Sequence, residues 1–134
     1  MATEFTVSAI IPAKPKEIYD AWLSSKGHAL MTGSPAKVSA RPNGAFTAWY
    51  GYIKGKNLKL KPGKLIVQYW RTTEFAAADE DSEIDITLEP VPGGTKITLR
   101  HTNIPGGQSD YRSGWHDCYF NPMKQYFSAA KKRA

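Results

Sequence analysis

The stretch GWHDCYFNPMKQYF, residues 114–127, constrains the fold more than any other part of this chain. Trp115, Cys118, Tyr119, Pro122, Met123, Tyr126, Phe127 and Ala130 recur at three- and four-residue steps, so on an α-helix they share one face. Asp117, Lys124, Ser128, Lys131 and Lys132 take the opposite arc. A helix so one-sided must lie across a broad apolar surface, because its aromatic face would otherwise stay in water. Pro122 lacks an N–H, and it either bends this helix or, with Asn121 as N-cap, starts a new one.

The apolar surface comes from segments in which apolar and polar residues alternate, the period of half-buried strands. Phe5, Val7, Ala9 and Ile11 form one face of the first; Ile84, Ile86 and Leu88, then Ile97, Leu99 and His101, repeat the pattern. EPVPGGT between the last two reads as a hairpin turn. KLIVQYWRT is apolar on both sides, as a central strand would be, with Leu65, Val67 and Tyr69 on one face and Trp70 on the other. Phe46, Ala48 and Tyr50, then Leu58 and Leu60, mark two further strands. KPKEIYDAWLSS predicts a short helix with Pro15 in its first turn and Ile18, Ala21, Trp22 and Ser25 inward. Strands segregated from helices in this order predict an α+β layer architecture built on an antiparallel sheet.

With 134 residues and no linker or repeat, the chain is expected to be one domain over 1–134. It shows no leader-like start and no apolar run long enough to span a membrane, so a cytoplasmic protein is expected. The lone Cys118 cannot form an internal disulfide. The net charge of +6 is unevenly spread. Glu74, Asp79, Glu80, Asp81, Glu83, Asp85 and Glu89 crowd into residues 74–89, whereas Lys54, Lys56, Lys59, Lys61 and Lys64 surround one hairpin and Lys131, Lys132 and Arg133 close the chain. The lysines serve to keep an exposed strand from edge pairing, or to steer an acidic partner. No recognition motif accompanies them, so nucleic acid is not expected.

Residues with chemical potential are few. Cys118 lies on the apolar helix face, where burial raises a thiol pKa, and His116 points elsewhere on the helix. His28, His101 and His116 lack metal-ligand spacing, and no phosphate loop or dinucleotide fingerprint is present. Neither a catalytic set, a metal nor a cofactor is expected, and the chain leans away from being an enzyme. His101 shares a face with Ile97 and Leu99 and is either a core histidine bonded to protein or a polar group facing a ligand. Arg71 anchors an anion or, the simpler expectation, pairs with an acid of the 74–89 patch. Trp49 and Trp70 are expected outward as an exposed aromatic pair suited to a protein contact.

GAFTAWYGYIKGKNLKLKPGKLIVQYWR, then ITLEPVPGGTKITLRHTNIP and GWHDCYFNPMKQYF, together resemble the C-terminal domain of the activators of the heat-shock protein 90 ATPase. That domain belongs to the START-related, birch-pollen-allergen-like (SRPBCC) superfamily, and the similarity runs from about Phe5 to Phe127. The resemblance implies a helix-grip fold: a curved antiparallel sheet of about six or seven strands around one long, bent C-terminal helix, with two short helices after the first strand. It also implies an apolar or amphipathic small molecule between sheet and helix, in a cavity assigned to Tyr50, Tyr69, His101, Trp115, Tyr119 and Met123. The alternative it implies is a co-chaperone-like module docking on a heat-shock protein 90-type chaperone through Lys54, Lys56, Lys59, Trp70 and Arg71. The second domain of those activators has no counterpart in this sequence, so a lone contact is expected to lack their avidity.

Overall fold

The computed structural model describes residues 3–108 and 110–133, the side chains of 130–133 excepted. The expected positions of Ala130, Lys131, Lys132 and Arg133 on the helix therefore lie outside the described residues. Strand β1 (Thr3–Ile11) leads into α1 (Pro15–Trp22) and α2 (Ser25–Thr32). Six strands follow: β2 (Ala36–Val38), β3 (Ala45–Ala48), β4 (Ile53–Lys61), β5 (Leu65–Thr72), β6 (Ser82–Val91) and β7 (Gly94–Ile104). They form one antiparallel sheet in the order β1-β7-β6-β5-β4-β3-β2, so the first strand closes against the last.

Alternation decides which residues face the helices. Val7 and Ile11 of β1, Ile84, Ile86 and Leu88 of β6, and Ile97, Leu99 and His101 of β7 are all buried on the inner face. Ile18, Tyr19 and Trp22 of α1 complete the core from the helix side. Ser24 caps α2, its hydroxyl accepting from the Gly27 amide at 3.1 Å.

Two strands depart from the expected pattern. In β5 the inner set is Ile66, Gln68, Trp70 and Thr72, so Tyr69 and Arg71 face outward and Trp70 is buried. Both faces of this strand are comparably apolar, and buried bonds choose between them. Gln68 donates to Asn57 Oδ1 (2.8 Å) and accepts from Trp22 Nε1 (3.4 Å), while Asn57 donates to the carbonyls of Ser39 (2.7 Å) and Arg41 (2.9 Å). In β4 a bulge between Asn57 and Lys59 inserts one extra residue. It keeps Lys54, Lys56, Lys59 and Lys61 exposed on one face despite their uneven spacing.

The C-terminal helix runs from Tyr111 through Arg133, answering the question posed by Pro122. It begins as α3 (Tyr111–Gly114), widens into a π-helical turn over Trp115–Phe120, and resumes as α4 (Asn121–Arg133). Asn121 N–H bonds to the His116 carbonyl five residues back. The cause lies in the sequence that follows. Pro122 offers no N–H to the Cys118 carbonyl, and in a regular α-helix its ring would press on that oxygen. The wider turn relieves the contact and also corrects the phase. Tyr111, Trp115, Tyr119, Met123 and Phe127, spaced by four, would each drift about 40° around an α-helix, yet all five are buried.

Candidate functional site

Between the C-terminal helix and the inner face of the sheet lies a cavity of about 310 Å³. Trp115, Cys118 and Tyr119 reach it from the π turn, Tyr111 and Gly114 from α3, and Trp70 from β5. Trp49 and Tyr52 line it from the β3–β4 connection, and Ile53 from the start of β4. Trp115, Cys118 and Tyr119 all open on the cavity from within the π turn, in keeping with the tendency of π segments to occur at functional sites.

The β3–β4 connection is held under backbone strain. Trp49 and Tyr50 have φ of 54° and 58°, a left-handed conformation that costs a bulky residue about 1–3 kcal/mol. The turn sends Trp49 toward the cavity and Tyr50 away from it, leaving Tyr50 86% exposed. Tyr50 is thus not a cavity residue, because β3 ends at Ala48 before alternation can carry inward. The Trp49 indole N–H is buried and makes no hydrogen bond, although it lies near enough to the Tyr119 hydroxyl to favour the ionised phenol slightly.

The polar groups around the cavity are otherwise committed to each other. His101 Nδ1 accepts from Trp115 Nε1–H (3.1 Å), so its proton sits on Nε2 and goes to Ser82 Oγ (2.7 Å). Ser82 in turn donates to the Trp70 carbonyl (2.7 Å). A second proton on His101 would face the Trp115 N–H, and burial lowers its pKa to about 3. His101 is a fully buried structural histidine and does not line the cavity, contrary to its assignment as a ligand contact.

His28, which sequence reasoning passed over, holds the other side. Its Nδ1–H donates to the Trp22 carbonyl (2.9 Å), leaving Nε2 to accept from Tyr119 O–H (2.9 Å). Burial lowers the His28 pKa and raises that of Tyr119, so both stay neutral. The Tyr111 hydroxyl donates to Gln108 Oε1 (2.8 Å) and accepts from Thr72 Oγ1 (2.8 Å). Burial, with a smaller push from Asp117, raises the Cys118 thiol pKa and makes it a poor nucleophile.

Of the residues assigned to the cavity, Trp115 and Tyr119 line it. Met123 is fully buried in the core one turn further on and is absent from the lining. Tyr69 stands on the outer face, with the Lys56 ammonium 5.7 Å from its ring centroid. Trp70, assigned to an outer partner surface, is instead a cavity wall, packed edge-on against His101 at 4.6 Å and Tyr111 at 5.0 Å. Trp49 likewise belongs to the cavity and not to an exposed pair. Arg71 follows the simpler expectation. It pairs with Asp81 at 2.8 Å and donates to the carbonyls of Ala76 and Asp79, which fastens the β5–β6 loop. Lys54, Lys56 and Lys59 are exposed on the outer face. A signal for Tyr111 lies in the fourfold spacing that it begins, one turn before the apolar stripe that starts at Trp115.

Among the described residues, no group of His, Cys, Asp and Glu is arranged to hold a metal ion. No helix among them is long and apolar enough to cross a membrane.

A seven-stranded antiparallel sheet gripping a C-terminal helix, with an aromatic cavity between them, defines a helix-grip protein of the α+β class. Within that class the chain belongs to the family described as Activator of Hsp90 ATPase homolog 1-like protein, whose model matches residues 12–128. It is similar to an uncharacterized protein of Schizosaccharomyces pombe, 29% identical over 116 residues, covering 86% of this chain and 34% of that protein. It also resembles the Activator of 90 kDa heat shock protein ATPase homolog of Dictyostelium discoideum, 29% identical over 121 residues, covering 88% of this chain and 31% of that one. The chain thus spans about a third of the length of the curated relatives it matches. Among solved structures, an HSP90 activator from Plasmodium falciparum superposes with a TM-score of 0.79 at 22% identity, over 96% of each chain. That likeness speaks for the fold alone.

Proposed function

We propose that this domain is a non-enzymatic binding module that takes an apolar or amphipathic small molecule into the cavity between sheet and helix. The observation that carries the reading is the lining. Aromatic walls from four elements enclose about 310 Å³, and none of the lining residues is a charged one. Such a cavity favours a compact, uncharged occupant, since its volume sits at the small end of ligand pockets and nothing inside offsets the cost of burying an ion. Trp115 and Tyr119 form the helix-side wall, and the committed hydroxyls of Tyr111 and Tyr119 keep that wall rigid. A cytoplasmic setting suits the reduced Cys118 at the same wall.

Gly114 supplies the test. A Cβ built there meets no atom within 4 Å, and its φ of −60° is helical, so a larger side chain extends into the cavity without strain. With the neutral probe N-phenyl-1-naphthylamine, the wild type is expected to bind one equivalent saturably. Gly114→Leu is expected to weaken binding by about tenfold or more while retaining the melting temperature, since Gly is disfavoured in helices. Equal probe affinity in both proteins would exclude the cavity as the binding site.

A second reading is favoured by the names of the relatives: the domain docks on a heat-shock protein 90-type chaperone through the outer-face lysines. Lys54, Lys56 and Lys59 form an exposed cationic row that complements an acidic surface. The double variant Lys56→Glu, Lys59→Glu is expected to weaken binding to purified chaperone by about tenfold and to flatten its salt dependence, whereas Gly114→Leu leaves it unchanged. Isothermal titration of both variants separates the two readings.

A further inference from the structure

We propose that the outer face of β4, β5 and β6 is an interface for a second copy of this chain, the two copies packing β5 on β5 about a twofold axis that runs along that strand. The argument is one of register. Lys56 lies opposite Tyr69, and Tyr69 opposite Glu83. One step along, Lys59 lies opposite Val67, and Val67 opposite Asp85. Each row therefore reads cation, apolar, anion across three adjacent strands, and Leu65 extends the apolar centre. The bulge in β4 creates this order, because without it Lys59 would not share a face with Lys56.

A half-turn about an axis along β5, lying between two such faces, exchanges β4 with β6 and leaves each level in place. Lys56 of one copy then stands over Glu83 of the other, Lys59 over Asp85, and Leu65, Val67 and Tyr69 close on their own counterparts. An axis across the strands would instead set lysine over lysine, so the charge pattern selects one orientation. The contact is isologous and closes at a dimer. Aligned sheets cross at about 30°, which at one strand spacing displaces facing residues by about 2–3 Å, within reach of a lysine side chain.

Within its own chain the acidic row has Arg100 beside it, which attracts Glu83 but is shared with Glu4. Asp85 Oδ1 is buried without a hydrogen-bond partner, and Arg100, its cross-strand neighbour, reaches across to Glu4 at 3.6 Å. Glu83 and Asp85 crowd one another on the same face, an arrangement that a lysine from a second copy relieves. Lys56 already leans toward β5, over its own Tyr69. Only the outward residues of three central strands meet, so the patch falls below the roughly 800 Å² per partner of a standard interface. A weak, concentration-dependent dimer is the expected state.

Charge exchange tests the proposal by sedimentation velocity over about 5–500 μM protein. Wild type is expected to pass from monomer to dimer within that range. Lys56→Glu and Glu83→Lys each place like charges in both symmetric contacts and are expected to weaken the dimer about tenfold or more. The double variant Lys56→Glu, Glu83→Lys restores both pairs and is expected to dimerise within about threefold of wild type. Far-UV circular dichroism and melting confirm that each variant is folded, as expected for an exposed Lys56 and a half-buried Glu83 on the outer face. A wild type that stays monomeric to 500 μM, a dimer indifferent to the single reversals, or a double variant no better than the singles would each overturn the proposal. Chaperone docking through the same lysines is distinguishable, because the double variant cannot recover affinity for an acidic partner.

Discussion

At the scale of single residues, the two buried histidines decide how this protein answers acid. The Nδ1 atom of His101 has no lone pair left over from the Trp115 N–H, and burial disfavours the charged ring. Its folded pKa, about 3, is depressed from an ordinary value of 6.5. Below pH 6.5 the unfolded chain therefore takes up a proton that the native state refuses. The histidine's contribution is complete above that value and is lost as pH falls toward 3, at about 1.4 kcal/mol per pH unit. His28, shifted in the same direction, steepens the loss. Urea denaturation between pH 7.5 and 4.5 is expected to show stability falling with acid, and His101→Gln to reduce the slope by about one proton. An unchanged slope would mean that His101 is protonated in the fold. Pattern placed His101 on the inner face correctly; only the surrounding donors reveal that it is saturated.

At the scale of elements, the C-terminal helix shows how a local breaker is absorbed. Pro122 sits in the first turn of α4, immediately after the π turn, where its missing N–H does least harm. Restoring the amide with Pro122→Ala offers the Cys118 carbonyl a normal α-helical partner and removes the reason for the wide turn. The expected result is a shorter π segment, a rotation of Trp115 and Tyr119 relative to the sheet, and altered affinity for a neutral probe. A crystal structure of the variant with the helix axis and π turn unchanged, together with unchanged probe affinity, would refute this account. The amphipathic stripe was legible because 100° periodicity survives over many residues. The π turn was not, because its phase shift is worth only one residue and the fourfold spacing that signals it begins before the stripe. The strained Trp49–Tyr50 turn was similarly invisible: alternation through GAFTAWYG continues on paper past the point where the backbone turns left-handed.

At the scale of the whole molecule, the bulge in β4 ties charge distribution to fold. Deleting Leu58 removes the extra residue and joins Asn57 directly to Lys59, which leaves a regular ladder with Lys59 and Lys61 still outward and Leu60 inward. That variant is expected to remain folded by circular dichroism, as is Leu58→Ala, which keeps the count and loses at most about 2 kcal/mol for a half-buried leucine. An unfolded deletion variant would show that the bend of the bulge itself, and not only the face it gives each lysine, is needed for folding. The class of fold, the antiparallel strands, the hairpin at EPVPGGT and the inner residues of β1, β6 and β7 follow from periodicity, which is a property of neighbours along the chain. The face of β5, the role of Trp70, the silence of Tyr50 and the closure of β1 on β7 do not. They depend on which buried amides, indoles and imidazoles find partners from distant strands and helices. Those pairings are a matter of free energy between residues that meet only once the sheet has closed over the helix.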